Sequence, residues 1–170
     1  MDTRRLIPFL RARFRLDWQG IHGSPHWARV RENGLRLAAR TGADERVVEL
    51  FAFLHDSCRE SDGGDPRHGR RSAALARELR GELFELDDAA LELLCEACAE
   101  HSRGRTRADP TVMTCWDADR LDLGRVGIRP SRRYLCTSAA QDRQLIAWAY
   151  ERSRGRDPRG SRGRKGRRRR

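Results

Sequence analysis

Long hydrophobic runs are missing from this chain of 170 residues. No apolar stretch approaches the ~20 residues that a membrane-spanning helix needs. At the N-terminus, MDTRRLIPFLRARFRLD interleaves charge with apolar residues too closely for a secretory signal. Sustained apolar–polar alternation between hairpin turns, the mark of half-buried strands, is also lacking, as is any internal repeat. Cysteine occurs five times, yet only Cys95 and Cys98 form a C-x-x-C. A zinc site of that kind needs a second pair at suitable spacing. Both thiols fall on one helical face with Leu91 and Leu94, where core residues belong. Five cysteines without an export signal lead us to expect reduced thiols in a cytoplasmic protein.

Acidic residues are scarce at one end only. Residues 151–170 hold 11 Lys or Arg against two acids, Glu151 and Asp157. The other 150 residues are nearly balanced, with 25 basic and 23 acidic side chains. The overall pI near 10.9 therefore belongs to the C-terminal segment. The body's charge gives no argument for nucleic acid as substrate. Residues 153–170, rich in Arg and Gly and without a hydrophobic residue, are expected to be a disordered basic tail. Such a tail would bind polyanions in a salt-dependent, sequence-independent way, or serve as a solubilising extension.

Residues 1–152 read as one all-α domain, a bundle of six to seven helices. Three capping residues precede a proline: Ser24-Pro25, Asp65-Pro66 and Asp109-Pro110. Each pair predicts a helix start, because a side-chain oxygen can satisfy a free N–H while proline has none to satisfy. Helices are expected over about 3–14, 25–40, 44–55, 66–80, 87–101, 110–123 and 138–152. Gly42 and Gly81 are natural stops.

Histidine and aspartate cluster where chemistry is expected. His55-Asp56 ends the apolar helix FAFLHD. A buried imidazole beside a carboxylate is costly unless paired, and a divalent ion is one such partner. His26 lies in the first turn of an earlier helix, and Asp117 lies within MTCWDADRLDL. Two imidazoles and two carboxylates suit a first-row divalent ion and leave coordination positions open.

The order His26, His55-Asp56, Asp117, with the flanks SPHWARV, LHDSCR, DPRHGRRSA, AEHSRG and WDADRLDL, resembles the HD superfamily of metal-dependent phosphohydrolases. The resemblance spans about residues 20–122. It implies a helical bundle around a mononuclear or binuclear centre (Mn, Mg, Co, Ni, Fe or Zn). It also implies hydrolysis of a phosphomonoester or phosphodiester of a small molecule, often a nucleotide. His68 and His101 then bind a second ion or face the substrate phosphate. The sequence departs from the fullest pattern of the family in having Glu100-His101 where a His-His pair is usual, and His22 where an acid is usual. Arg59, three residues beyond Asp56, would share its face if the helix continued and would grip phosphate. Asp56 and Arg59 are thus the expected catalytic pair, with Arg59, His68 and His101 binding substrate.

Beside this stand blander readings. Asp119 would pair with Arg120 or Arg125, His22 would serve its own loop, and Trp27 and Trp116 would pack. Cys58 and Cys115 would be small fillers near the site. Two other functions fit the same letters: a non-catalytic metal-binding regulatory module, and a nuclease or phosphodiesterase guided to nucleic acid by the tail.

Overall fold

A computed structural model describes residues 3–155. Among these, seven α-helices carry the fold: α1 (Thr3–Arg13), α2 (Ser24–Thr41), α3 (Glu45–Leu54), α4 (His68–Leu79), α5 (Asp88–Glu100), α6 (Pro110–Arg120) and α7 (Arg143–Ser153). Short 3-10 turns cover His101–Arg103, Leu123–Val126 and Arg132–Tyr134. No strand occurs among the described residues, only an isolated bridge between Arg80 and Phe84. The all-α expectation holds. Of the expected tail, residues 156–170 lie outside the described residues, while Ser153 is buried and closes α7.

The helix α3 is the centre. Every residue from Val47 to Leu54 is buried except Glu49. A helix apolar almost all round must be wrapped by others. Here α2, α5, α6 and α4 all pack on it, and α4 also packs along α5. Asp44 starts α3, its carboxylate accepting from Arg46 N (2.8 Å) and Val47 N (3.2 Å). Just before, α2 stops at Gly42, whose φ of 71° is left-handed and whose N–H donates to Ala38 O. No helix among the described residues is long and apolar enough to cross a membrane.

Of the three cap–proline pairs, Asp109-Pro110 behaves as expected, with Asp109 Oδ1 accepting from Thr111 N at 2.7 Å. The other two differ, because nearby loops claim the capping oxygens. Ser24 lies inside the first turn of α2, behind Gly23, and its hydroxyl donates to Trp18 O. Asp65 accepts from Glu60 N and Arg71 instead, and α4 begins at His68 rather than Pro66. Similarly α7 begins at Arg143, where Asp142 accepts from Gln144 N and Leu145 N, rather than near Ser138.

Close approach of α4 to α5 depends on Gly69. A Cβ placed there would lie 2.3 Å from Cys98 O, a backbone atom that cannot swing away. Both neighbours matter, since His68 precedes Gly69 and Cys98 O receives the His101 ring N–H. Gly69→Ala should therefore force the two helices apart and cost about 1–3 kcal/mol. Urea denaturation should register the loss, and an unchanged midpoint would contradict the packing described.

Candidate metal centre

Five helices deliver side chains to one buried point. His26 comes from the first turn of α2, and His55 and Asp56 from the end of α3. His68 opens α4, His101 follows α5, and Asp119 comes from the last turn of α6. The four histidines and Asp56 are each at most 5% exposed.

Each imidazole is fixed through Nδ1. His55 Nδ1 faces Phe51 O at 3.1 Å, and His101 Nδ1 faces Cys98 O at 2.8 Å. His68 Nδ1 makes a short contact to Asp65 O. His26 Nδ1 faces Asp122 Oδ2 at 2.7 Å. A carbonyl can only accept, and so can an ionised carboxylate, so each of these rings carries its proton on Nδ1. Every Nε2 of a neutral ring then presents a lone pair. Those lone pairs face one another: His26 and His55 Nε2 are 3.0 Å apart, as are His68 and His101 Nε2. Unprotonated nitrogens at that distance repel unless a cation stands between or beside them.

Asp56 joins the two pairs. Its Oδ2 lies 3.6 Å from both His26 and His55 Nε2. Its Oδ1 lies 3.2 Å from His68 and 3.6 Å from His101 Nε2. Asp119 Oδ1 adds a further oxygen, 3.4 Å from His26 and 3.9 Å from His55 Nε2, and it is a buried atom without a hydrogen-bond donor. For metal–ligand bonds of about 2.1 Å, neighbouring donor atoms sit about 3.0 Å apart in an octahedron and about 3.4 Å apart in a tetrahedron. The Nε2 pairs at 3.0 Å fall in that range, and the carboxylate oxygens stand 3.2 to 3.9 Å from the Nε2 atoms. Two groups could therefore hold a metal ion: His26, His55 and Asp56, and Asp56, His68 and His101. Asp119 supplements the first.

No family model, curated protein or solved structure matches the chain.

Protonation follows burial and charge. Burial drives His26 well below the usual imidazole range and lowers His55 also. Burial opposes ionisation of Asp56, but the imidazoles around it, His55 first and then His101 and His68, outweigh burial and hold the carboxyl well below its ordinary value. For Asp119 burial is likewise overcome, here by Arg125 first, and the carboxyl is lowered. His101 moves the other way: burial disfavours its cation, yet Asp56 raises it. The first group thus combines neutral imidazoles with ionised carboxylates, which is what a divalent ion requires.

The expected residues do not all meet here. Asp117, expected as a metal ligand, faces elsewhere. Its Oδ1 accepts from Cys136 N at 2.7 Å, and its Oδ2 accepts from Thr137 N at 2.9 Å and Thr137 Oγ1 at 2.8 Å. Residues two apart on a helix are separated by about 200°, so Asp117 and Asp119 point to opposite sides. Asp119, expected to be structural, is instead the α6 carboxylate that faces the imidazoles, and its approach to Arg125 is real but loose at 3.8 Å. The missed signal was in the same letters. Asp122 lies three residues beyond Asp119, and it is the carboxylate that orients His26. Arg29 in turn holds Asp122 through both oxygens, at 2.6 and 3.0 Å.

Arg59 does approach Asp56, with Nη1 3.4 Å from Oδ1 and 3.3 Å from His68 Nε2. It arrives through a turn, since α3 ends at Leu54. Its remaining nitrogens donate to Ser61 O and Gly63 O. His22 pairs with Asp62. Trp27 packs edge-on against Phe14 and Trp18, and Trp116 donates to Ala97 O. Cys95, Cys98 and Cys115 are buried free thiols, and Cys58 is partly buried.

Two substitutions separate the aspartates. Asp119→Asn should weaken retention of a divalent ion at least tenfold while leaving the fold intact. Asp117→Asn should keep metal content but lose about 1–3 kcal/mol, because an amide nitrogen would then face an N–H donor. Metal analysis after dialysis, with chemical denaturation, reads both. The reverse pattern would return Asp117 to the ligand set.

Proposed function

We propose that this chain is a metal-dependent phosphohydrolase of the HD type, acting on a phosphate ester of a small molecule such as a nucleotide. The observation that carries this reading is the convergence of four Nε2 lone pairs on two ionised carboxylates that line an open cleft. That cleft has a volume of about 490 Å³ and is lined by Asp56, His101 and Asp119 together with Arg59, Arg125 and Arg129. A cation-binding cluster together with arginines fits an anionic ligand, and the volume exceeds what a bare phosphate needs. Resemblance to the HD superfamily in residues 20–122 supports the same reading, with Asp119 in place of Asp117.

When bound, divalent ions at such a cluster acidify water and neutralise charge on phosphoryl oxygens. The chain's own residues supply the rest. His26 and His55, with Asp56 and Asp119, would hold the first ion. His68 and His101, with Asp56, would hold a second or hydrogen-bond a phosphoryl oxygen. Arg59 already places a positive charge beside this second group, so the first group is the stronger metal site. In the reaction Arg59 would bind the phosphate oxygens, with Ser61 and Gly63 carbonyls fixing its guanidinium. Asp122 and Arg29 position His26 from behind.

Purified protein should hydrolyse 4-nitrophenyl phosphate only with a divalent ion, and chelation should abolish the rate. Asp56→Asn should reduce turnover at least a thousandfold with an unchanged circular dichroism spectrum. Full activity in that variant, or after metal removal, would overturn the reading.

A further inference from the structure

Part of the lining of the cleft is apolar, and it is built as a fixed surface. Leu123, Ile128, Pro130, Tyr134 and Leu135 line it. Large exposed hydrophobic side chains are few among the described residues: Ile21, Val126, Ile128 and Tyr134. Two of the four therefore stand in this one cleft, Ile128 at 55% and Tyr134 at 57% exposure. Each leaves more than half of its surface exposed beside the same cleft.

The backbone beneath them is pinned. Ile128 N donates to Leu123 O. Tyr134 O accepts from Arg120 at 2.8 Å, and Leu135 O accepts from Gln141 at 2.9 Å. Pro130 and Leu135 are buried. Immediately beyond, the Cys136 and Thr137 amides are held by Asp117. Hence the two side chains project from an ordered frame rather than from a loop free to fold them inward.

The arginines in the same cleft are mostly engaged. Arg120 donates to Arg105 O and Tyr134 O, and Arg125 to Ile21 O and Asp122 O. Arg129 lies over the Tyr150 ring. The organic part of a ligand would thus meet apolar contact here more than directed hydrogen bonds. We infer that Ile128 and Tyr134 are specificity-determining residues, and that the substrate is a phosphate ester whose organic part carries a flat apolar ring. This rests on the phosphohydrolase reading only for the word substrate; the wall itself can be probed by binding alone.

The test uses manganese-loaded protein and two phosphonates, whose P–C bonds resist hydrolysis: 1-naphthylphosphonate and methylphosphonate. Calorimetry should find the naphthyl compound bound about tenfold more tightly or better. The double substitution Ile128→Ser and Tyr134→Ala should shrink that preference to within about twofold. It should leave metal content, circular dichroism and methylphosphonate affinity unchanged. Equal affinity of the unaltered protein for both probes, binding of neither, or a preference that survives the double substitution would each overturn the inference. A preserved preference in a protein that turns over no phosphate ester would uphold the wall and remove the hydrolytic reading instead.

Discussion

Four imidazoles are locked with their protonated nitrogens outward and their lone pairs inward, and the rest of the site follows from that constraint. Three of the four anchors are main-chain carbonyls: Phe51 O, Asp65 O and Cys98 O. The last carbonyls of a helix have no partner within it. In the last turns of α3 and α5, Phe51 O and Cys98 O orient His55 and His101 from the turn behind, Phe51 O accepting the His55 backbone N–H as well. The negative ends of both helix dipoles then point toward the cluster, where they favour a cation and disfavour a bare carboxylate. Asp56, directly beyond α3, is placed where only a compensating positive charge makes it tolerable.

Burial sharpens the imbalance. Desolvating a charge without a partner costs several kcal/mol. Around the first group, burial drives His26 and His55 toward the neutral form whose Nε2 lone pairs a cation would bind. Arg125 stands at 3.8 Å from Asp119, too far for a direct hydrogen bond. Asp119 Oδ1 is left without a donor altogether. Around the second group, Arg59 already brings a positive charge to within 3.4 Å of Asp56 Oδ1 and 3.3 Å of His68 Nε2. The two halves of the cluster therefore differ in how strongly they call for a metal, although one carboxylate belongs to both.

Much of this was legible in the sequence, and the gaps have physical causes. The helical spacing of α3, the stop at Gly42 and the cap at Asp109 are local properties, and local chemistry reveals them. His26, His55 and Asp56 were found because His-Asp at the end of an apolar helix is a costly pairing in any fold. Choosing between Asp117 and Asp119 was different. Both lie in an apolar stretch, and the choice turns on which face of α6 meets α2 and α3. That is a tertiary fact: Ala118 O accepts from Asn33, and Gly34 brings α2 close to Ala118. The caps expected at Ser24 and Asp65 failed for a similar reason, since their partners Trp18 and Arg71 come from outside the local turn. The apolar wall left no sequence mark either, because Ile128 and Tyr134 are unremarkable until both are seen exposed beside one cleft.

The pair Asp117 and Asp119 links the charged lining of the cleft to its apolar wall. Within one turn of α6, Asp119 faces the imidazoles while Asp117 grips the backbone that follows Tyr134. Arg120, the next residue, holds the Tyr134 carbonyl itself. A helix keeps neighbouring residues at fixed angles and a rise of about 1.5 Å each. The distance between the charged lining and the apolar wall is therefore set by a single stiff element rather than by a mobile loop. A ligand that must span both, with an anion at one end and a ring at the other, would find that separation already fixed. Holding the two surfaces in place beforehand reduces the ordering cost of binding. It also explains why two aspartates so close in sequence can serve unlike purposes: the helix turns them apart while keeping what they hold together.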